Sequence, residues 1–322
     1  MSVWVAGIAR WGRFVRLKGD RLNSIRRHLD MLADQAWTLC RWKLTTASSI
    51  EPFDGRPRIA LVTVNFSTTR YLKLMLITLG QQSDLGRIHR LVIVDNDSRD
   101  GGLPFLRELA KRTERVHLVE HRMFPNHARG LRSGLATLEQ VERSAMPKER
   151  TNIILACDTD VIFRNPQTLG DLSEVFAASE AAFAGELRHD FYPYPEAQAS
   201  FFAVRRDCYA RPDVMPFVHH GAPAYWMQRS LWRAGLRLHD FPSNGGGYIL
   251  HRSRSGVAAA SVYRRHDPHA TARARYPHYM NVPGGEAIWQ RVEEQYESLL
   301  EPNHEQELLD LLTQQLSALG TH

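Results

Sequence analysis

Cysteine is scarce in this chain of 322 residues. The three that occur, Cys40, Cys157 and Cys208, are far apart, odd in number and free of any CxxC pairing, so neither a disulfide framework nor a cysteine-based zinc site is expected. Long hydrophobic runs are also missing. No stretch approaches the roughly 18 uninterrupted apolar residues of a membrane span, and the opening MSVWVAGIAR has no basic stretch ahead of an apolar core. A cytoplasmic, reducing location is therefore the expectation. Low-complexity tracts and repeats are absent, which sets aside fibrous and disordered classes. Charge of one sign is in small excess, with Lys+Arg 41 against Asp+Glu 35 and a net charge of +6. Residues 1–50 carry nine Lys/Arg and three Asp, so 9 − 3 = +6 and the rest of the chain sums to zero. The basic balance belongs to one segment, and nucleic-acid binding by the whole protein is not indicated.

That segment has a pattern. Trp4, Ile8, Trp11, Val15, Leu22, Ile25, Leu29, Leu32, Ala36 and Leu39 recur near helical spacing, and arginines fill much of the other face. A basic amphipathic helix of this kind can associate peripherally with an anionic membrane through residues 1–45 at the inner membrane face, or pack on its own domain. Residues 51–57, with Pro52 and Pro57 flanking Gly55, read as a linker.

From Arg58 onward short β-rich runs alternate with helices. RIALVTVNF, HRLVIVDND, RVHLVEH and TNIILACDTD read as strands; TTRYLKLMLITLGQQ, LPFLRELAKRT and GLRSGLATLEQVERSA read as the helices between them. The expected fold class is α/β, a mixed and mostly parallel sheet with helices on both faces. The expected divisions are 58–170, 171–285 and a helical carboxyl terminus at 286–322. In such sheets ligands bind beyond the carboxyl ends of the strands, where the polar residues of this chain collect.

At the end of the fourth strand stand Asp158 and Asp160 in ILACDTDVIF. Two carboxylates spaced i, i+2 after an apolar strand supply hard oxygen ligands for Mg²⁺ or Mn²⁺, which can bridge a diphosphate; the plainer alternative is a capped turn with a solvated acid. In VIVDNDSRDGG, Asp95, Asn96, Asp97 and Ser98 follow a strand directly. They can hydrogen-bond a base or ribose, or form an Asx-type turn, or both. His127 and Arg129 in FPNHARGL precede a helix, whose start attracts anions such as a diphosphate; Asn126 as an N-cap is the alternative reading.

Taken in order, RIALVTVNFSTTRYL, VIVDNDSRDGG, NHARGLRSGL and IILACDTDVIF resemble the nucleotide-binding half of family 2-type glycosyltransferases with the GT-A (Rossmann-like) fold, over residues 58–170. The resemblance implies that Asn65, Asp95 and Asp97 line a nucleoside pocket and that Asp158 and Asp160 hold the metal and diphosphate of a UDP-, GDP- or dTDP-sugar. It also implies a further metal ligand at His251 in SNGGGYILHRSRSG, an imidazole that suits Mn²⁺. Transfer would go to a glycan, lipid-linked or small-molecule acceptor, with inversion at the anomeric carbon. A late basic loop, with Arg264, Arg265, Arg273 and Arg275, is placed to fold over the leaving diphosphate or to remain a solvated loop.

One part of the family pattern is missing. Its usual base comes from an acidic pair ahead of a helix ending in AG, and here PAYWMQRSLWRAG puts Pro223, Ala224, Tyr225 and Trp226 at those places. Glu186 and Asp190 in AGELRHDFYP are the substitute candidates, and Tyr192, Tyr194 and Trp226 can stack on sugar faces. A nucleotidyltransferase or dinucleotide-binding dehydrogenase would need a Gly-rich loop after the first strand, which VNFSTTRYL lacks. The remaining rival is a catalytically silent relative that binds nucleotide-sugars or glycans and acts as a scaffold.

Overall fold

The computed structural model describes residues 50–122, 126–189, 195–219, 222–256 and 277–317, together with positions 29, 32–38 and 40. Four apolar runs form parallel strands: β1 (Ile59–Asn65), β2 (Ile88–Asn96), β3 (Val116–His121) and β4 (Ile153–Cys157). β5 (Val161–Phe163) leaves this sheet, and β6 (Ala181–Arg188), β7 (Glu196–Arg205) and β8 (Arg237–Asp240) extend it in the order β3-β2-β1-β4-β7-β6-β8. Only β7 runs against its neighbours; β6 and β8 pair in parallel. The fold is thus the mixed, mostly parallel α/β sheet expected from the alternation of strands and helices.

Successive residues of a strand point to opposite faces, and β1 accordingly feeds two cores. Ile59 and Leu61 belong to one, Ala60 and Val62 to the other. The first core is covered by α1 (Thr69–Leu79), α2 (Leu103–Arg112) and α4 (Thr168–Ala178); the second by α3 (His127–Val141) and α5 (Tyr225–Arg233). α3 lies close against the sheet because it presents glycine there. A Cβ on Gly130 would stand 2.9 Å from Val64 Cγ1, and one on Gly134 would stand 2.8 Å from Val62 Cγ1.

The carboxyl-terminal helices α6 (Gly285–Gln295) and α7 (Glu305–Ser317) share the first core. Trp289 is buried and meets the Tyr71 ring edge-on at 5.9 Å. The Lys73 ammonium reaches Glu305 at 2.6 Å and lies 4.4 Å over the Phe105 ring. The segment read as a linker is held as well: Phe53 N donates to Asp207 at 3.1 Å, and Asp54 pairs with Arg58 at 2.8 Å. Most of the amino-terminal basic segment lies outside the described residues. Within it, 32–38 are helical, Asp34 pairs with Arg132 at 3.1 Å and Gln35 donates to the His219 carbonyl at 2.9 Å. Leu29, Leu32 and Trp37 are 60%, 46% and 64% exposed.

A buried ion pair ties the end of α3 to the sheet. The Arg206 guanidinium bonds the Glu142 carboxylate, which also accepts from Thr151 N at 2.9 Å and Thr151 Oγ1 at 3.1 Å. Breaking such a pair leaves an uncompensated buried charge, at a cost of about 3–5 kcal/mol. Glu142→Ala is therefore expected to lower unfolding stability by that amount in urea titration; a loss within about 1 kcal/mol, the size of an exposed pair, would contradict this account.

Candidate active site

β4 is buried along its whole length and ends at Cys157, so the chain must turn as it leaves the apolar layers. The turn is Asp158–Thr159–Asp160. It is fixed from two sides: Asp158 N donates to Ser200 O at 2.8 Å, and Thr159 Oγ1 meets Thr68 Oγ1 at 2.8 Å. β5 then pairs antiparallel with β9 (Ile249–His251), with Val161 opposite His251. This two-stranded pairing, far apart in sequence, brings the imidazole over the acids.

His251 Nε2 stands 3.1 Å from Asp160 Oδ1 and 3.6 Å from Asp158 Oδ2. Asp160 Oδ2 accepts from Ser255 N at 3.3 Å, and Arg252 N donates to Asp160 O at 2.9 Å. Asp160 and His251 are buried, whereas the Asp158 side chain is 27% exposed and forms the open side of the cluster. Its Oδ1 faces His127 Nε2 at 3.6 Å. His127 is the first residue of α3, whose N-cap Asn126 accepts from Arg129 N at 2.9 Å. The cluster therefore draws on β4–β5, β9 and the start of α3. Arg129 itself is exposed and does not join it.

The electrostatics follow from burial and proximity. Burial pushes the Asp160 carboxyl up, but the His251 charge and the bonds from His251 and Ser255 outweigh it and hold the group at about 2. Burial raises the Asp158 carboxyl, only partly offset by His127 and His251, and Asp160 adds repulsion. Burial alone would lower the His251 imidazole; the Asp160 carboxylate beside it and then Asp158 raise it instead. Two carboxylates and an imidazole offer ligand atoms within 4.8 Å of one another. Oxygen donors with one nitrogen fit a hard or borderline divalent cation.

Asn65 and Asp95 are fully buried at the ends of β1 and β2. Asn65 Nδ2 donates to Asp95 at 3.0 Å, Thr69 Oγ1 at 3.0 Å and Ser98 Oγ at 3.1 Å, and its Oδ1 accepts from Thr68 Oγ1 at 2.9 Å. Asp95 Oδ1 takes Ser98 N at 3.0 Å. These bonds make the Asx-type turn and shape the loop that follows β2. Asp97, half-buried with φ 63°, stands outside the network and pairs with Arg99 at 3.3 Å.

Of the two acids offered as a base, Asp190 lies outside the described residues, as do Tyr192, Tyr194, Arg264, Arg265, Arg273 and Arg275. Glu186 accepts from Ser243 Oγ at 3.2 Å, Asn244 N at 2.6 Å, Asn244 Nδ2 at 3.2 Å and Gly245 N at 3.1 Å. The helix in place of the acidic motif is α5, and its buried Gln228 bonds both Ala197 N (2.7 Å) and Ala197 O (2.9 Å). Trp226 stacks under Arg229, 5.2 Å away.

The sequence reading missed Glu196, next to Ala197 on β7. It is 2% exposed, and its described partner is Arg188 at 3.8 Å, directly across the β6–β7 pairing. Leu187 and Ala197, the preceding cross-strand pair, pack into the α3 side core, so Arg188 and Glu196 face the other way, toward the side that carries Glu186 and the 243–245 loop. Burial raises the Glu196 carboxyl, with Arg188 offsetting part of the rise. A glutamate opening a strand was the only signal in the sequence; its burial and facing come from the pairing register.

No protein-family model matches the chain, and no curated protein sequence matches it. Among solved structures it is similar to the mannosyltransferase PcManGT from Pyrobaculum calidifontis in complex with GDP-Man and Mn²⁺, at 18% identity and a TM-score of 0.44, over 92% of this chain and 96% of that one. S. aureus TarS residues 1–349 give 11% identity and a TM-score of 0.46 over 81% and 90%. Glucosyl-3-phosphoglycerate synthase from Mycobacterium tuberculosis, in complex with Mn²⁺, UDP and glucosyl-3-phosphoglycerate, gives 14% and 0.43 over 65% and 80%. With likeness of this size, the functional reading rests on the chain's own site.

Asp160→Ala is expected to lower Mn²⁺ affinity by more than the roughly 10–100-fold typical of losing an outer-shell partner, with cooperative unfolding retained. Calorimetric titration with MnCl₂ measures it, and an unchanged affinity would remove the metal assignment.

Proposed function

We propose that this chain is a nucleotide-sugar-dependent glycosyltransferase of the GT-A type, resembling family 2, that moves a hexosyl group from a UDP-, GDP- or dTDP-sugar to an acceptor hydroxyl. The observation that carries the reading is the Asp158–Asp160–His251 cluster at the carboxyl end of a parallel strand, with the start of α3 beside it. Mn²⁺ or Mg²⁺ held by these three residues would supply positive charge to the departing diphosphate.

The chain's own residues divide the remaining work. The start of α3, with His127 and Arg129, favours an anion and is assigned to the diphosphate. Asp97 is assigned to the nucleoside directly, while Asn65 and Asp95 hold the loop that presents it. The proton acceptor is assigned to the β6–β7 hairpin, where Glu196 is the described candidate and Asp190 falls in the connection. A carboxylate there takes the acceptor hydroxyl proton as its oxygen bonds the anomeric carbon, and the diphosphate leaves with the electron pair of the broken bond. That single displacement inverts the centre. Burial of Glu196 raises its proton affinity, which suits a base.

The acceptor is a glycan or a lipid-linked sugar, and the basic amino-terminal segment supports action at an anionic membrane surface in polysaccharide synthesis. No helix among the described residues is long and apolar enough to cross a membrane. Leu29, Leu32 and Trp37 are exposed on the segment whose Asp34 and Gln35 dock on the domain.

Glu196→Gln is expected to slow metal-dependent turnover of the donor, by transfer or by hydrolysis, by about 10²–10⁴-fold, with Mn²⁺ and donor binding within a few-fold of the parent. Turnover close to the parent's would move the base elsewhere in the hairpin, and a parent protein that leaves every donor intact would overturn the enzymatic reading. Deleting residues 1–50 is expected to spare turnover and reduce sedimentation with phosphatidylserine vesicles; undiminished sedimentation would rule out the segment as the anchor.

A further inference from the structure

Glu186 sits at an irregularity in the β6–β7 pairing. The register runs Gly185 opposite Phe202 and then Leu187 opposite Ala197, so several residues of β7 bulge past one residue of β6. Bulges of this kind re-aim side chains beside functional sites. Across from the bulge, Glu186 keeps the regular alternation of β6, and its carboxylate points at the loop joining β8 to β9 and accepts two backbone N–H groups, a hydroxyl and an amide from Ser243, Asn244 and Gly245.

Asn244 carries the connection further. It is 4% exposed and its two amide atoms are divided: Nδ2 donates to Glu186 at 3.2 Å, and Oδ1 accepts His251 N at 3.0 Å. The loop is pinned again by Ile249 N to Ser243 O at 2.9 Å and by Phe241 N to Gly185 O at 2.9 Å. A continuous line of hydrogen bonds therefore runs from Glu186 through Asn244 to the backbone of His251, and from its imidazole to Asp160 at 3.1 Å.

We propose that Glu186 is a positioning residue for the metal centre: through Asn244 it fixes the backbone of His251 and so the reach of the imidazole onto a divalent cation shared with Asp158 and Asp160. The proposal rests on the metal reading given above and assigns Glu186 to the cation rather than to the acceptor proton. Its carboxylate is saturated with donors, which is the condition of a strut and a poor one for a proton acceptor. Outer-shell partners of metal ligands typically set affinity by about 10–100-fold.

The test is Mn²⁺ affinity by calorimetry and by electron paramagnetic resonance on the full chain, without any sugar donor. Glu186→Gln keeps the shape but turns an amide N–H₂ toward donors, and Asn244→Ala removes the link while leaving the backbone bonds to Glu186. Each is expected to weaken Mn²⁺ binding about 10–100-fold, and the pair together no more than the larger single change. In a His251→Ala background, Glu186→Gln should have no further effect on affinity, because the strut has nothing left to position; a merely destabilising role would still add its loss there. Equal affinity of parent and Glu186→Gln, with Asp160→Ala still deficient, would overturn the strut and leave the metal centre standing. Failure of the parent to bind Mn²⁺ would overturn both. Intact Mn²⁺ affinity in Glu186→Gln with turnover lowered 100-fold or more would also overturn the strut and return Glu186 to the role of base.

Discussion

An acid sunk to 5% exposure at the end of an apolar strand is the constraint around which this site is built. A buried carboxylate without partners costs several kcal/mol (order of magnitude) and would take up a proton instead. Asp160 is satisfied by His251 and by Ser255 N, both from a segment some ninety residues away. To deliver them the chain forms the β5–β9 pairing and then two successive left-handed residues, Ser253 at φ 67° and Arg254 at φ 66°. Non-glycine residues there carry about 1–3 kcal/mol of strain each. The same bonds satisfy the buried charge and help to hold the strained loop.

The two halves of the sheet were unequally legible for a physical reason. A parallel strand covered on both faces is a continuous apolar run, and β1, β2, β3 and β4 stand out in the sequence within three residues of their observed ends. β5 and β9 are three residues each, and their existence depends on one another. β7 interrupts its alternation with a bulge, so its faces switch midway and local periodicity misleads. α3 begins at His127, ahead of the apolar pattern, because Asn126 caps it; the cap was visible, the extra turn was not.

The same contrast holds for individual side chains. Asp158 and Asp160 were read as a pair from their i, i+2 spacing after an apolar strand, and the fold places both beside one imidazole. His251 came from a family resemblance, and only the fold shows the imidazole 3.1 Å from Asp160. Asn65 and Asp95 were read as groups for a nucleoside, yet their hydrogen-bonding capacity is largely consumed inside the protein. A polar residue at a strand end can serve a ligand or the turn that follows, and sequence does not distinguish the two. Glu196 was invisible because its burial and its facing depend on a register set by a bulge.

The site lies between two parts of one sheet, a platform and a wall. The β1–β4 platform is apolar on both faces, with α3 held close through Gly130 and Gly134, and it fixes Asp158, Asp160 and His127 relative to one another. The wall made by β6, β7 and the 241–256 loop continues that platform through the β4–β7 pairing and the two shared apolar cores, and polar ties add to it near the acids: Asp158 N to Ser200 O, Arg252 N to Asp160 O, and the line from Glu186 to His251. Hydrogen bonds are directional, and apolar contacts are less so. The polar ties therefore add a fixed angle between the wall and the acids to the packing that joins them. The absence of the acidic pair before α5 fits this division. Gln228 uses that helix to lock Ala197 in place, and the carboxylates of the wall, Glu186 and Glu196, are carried by the strands themselves.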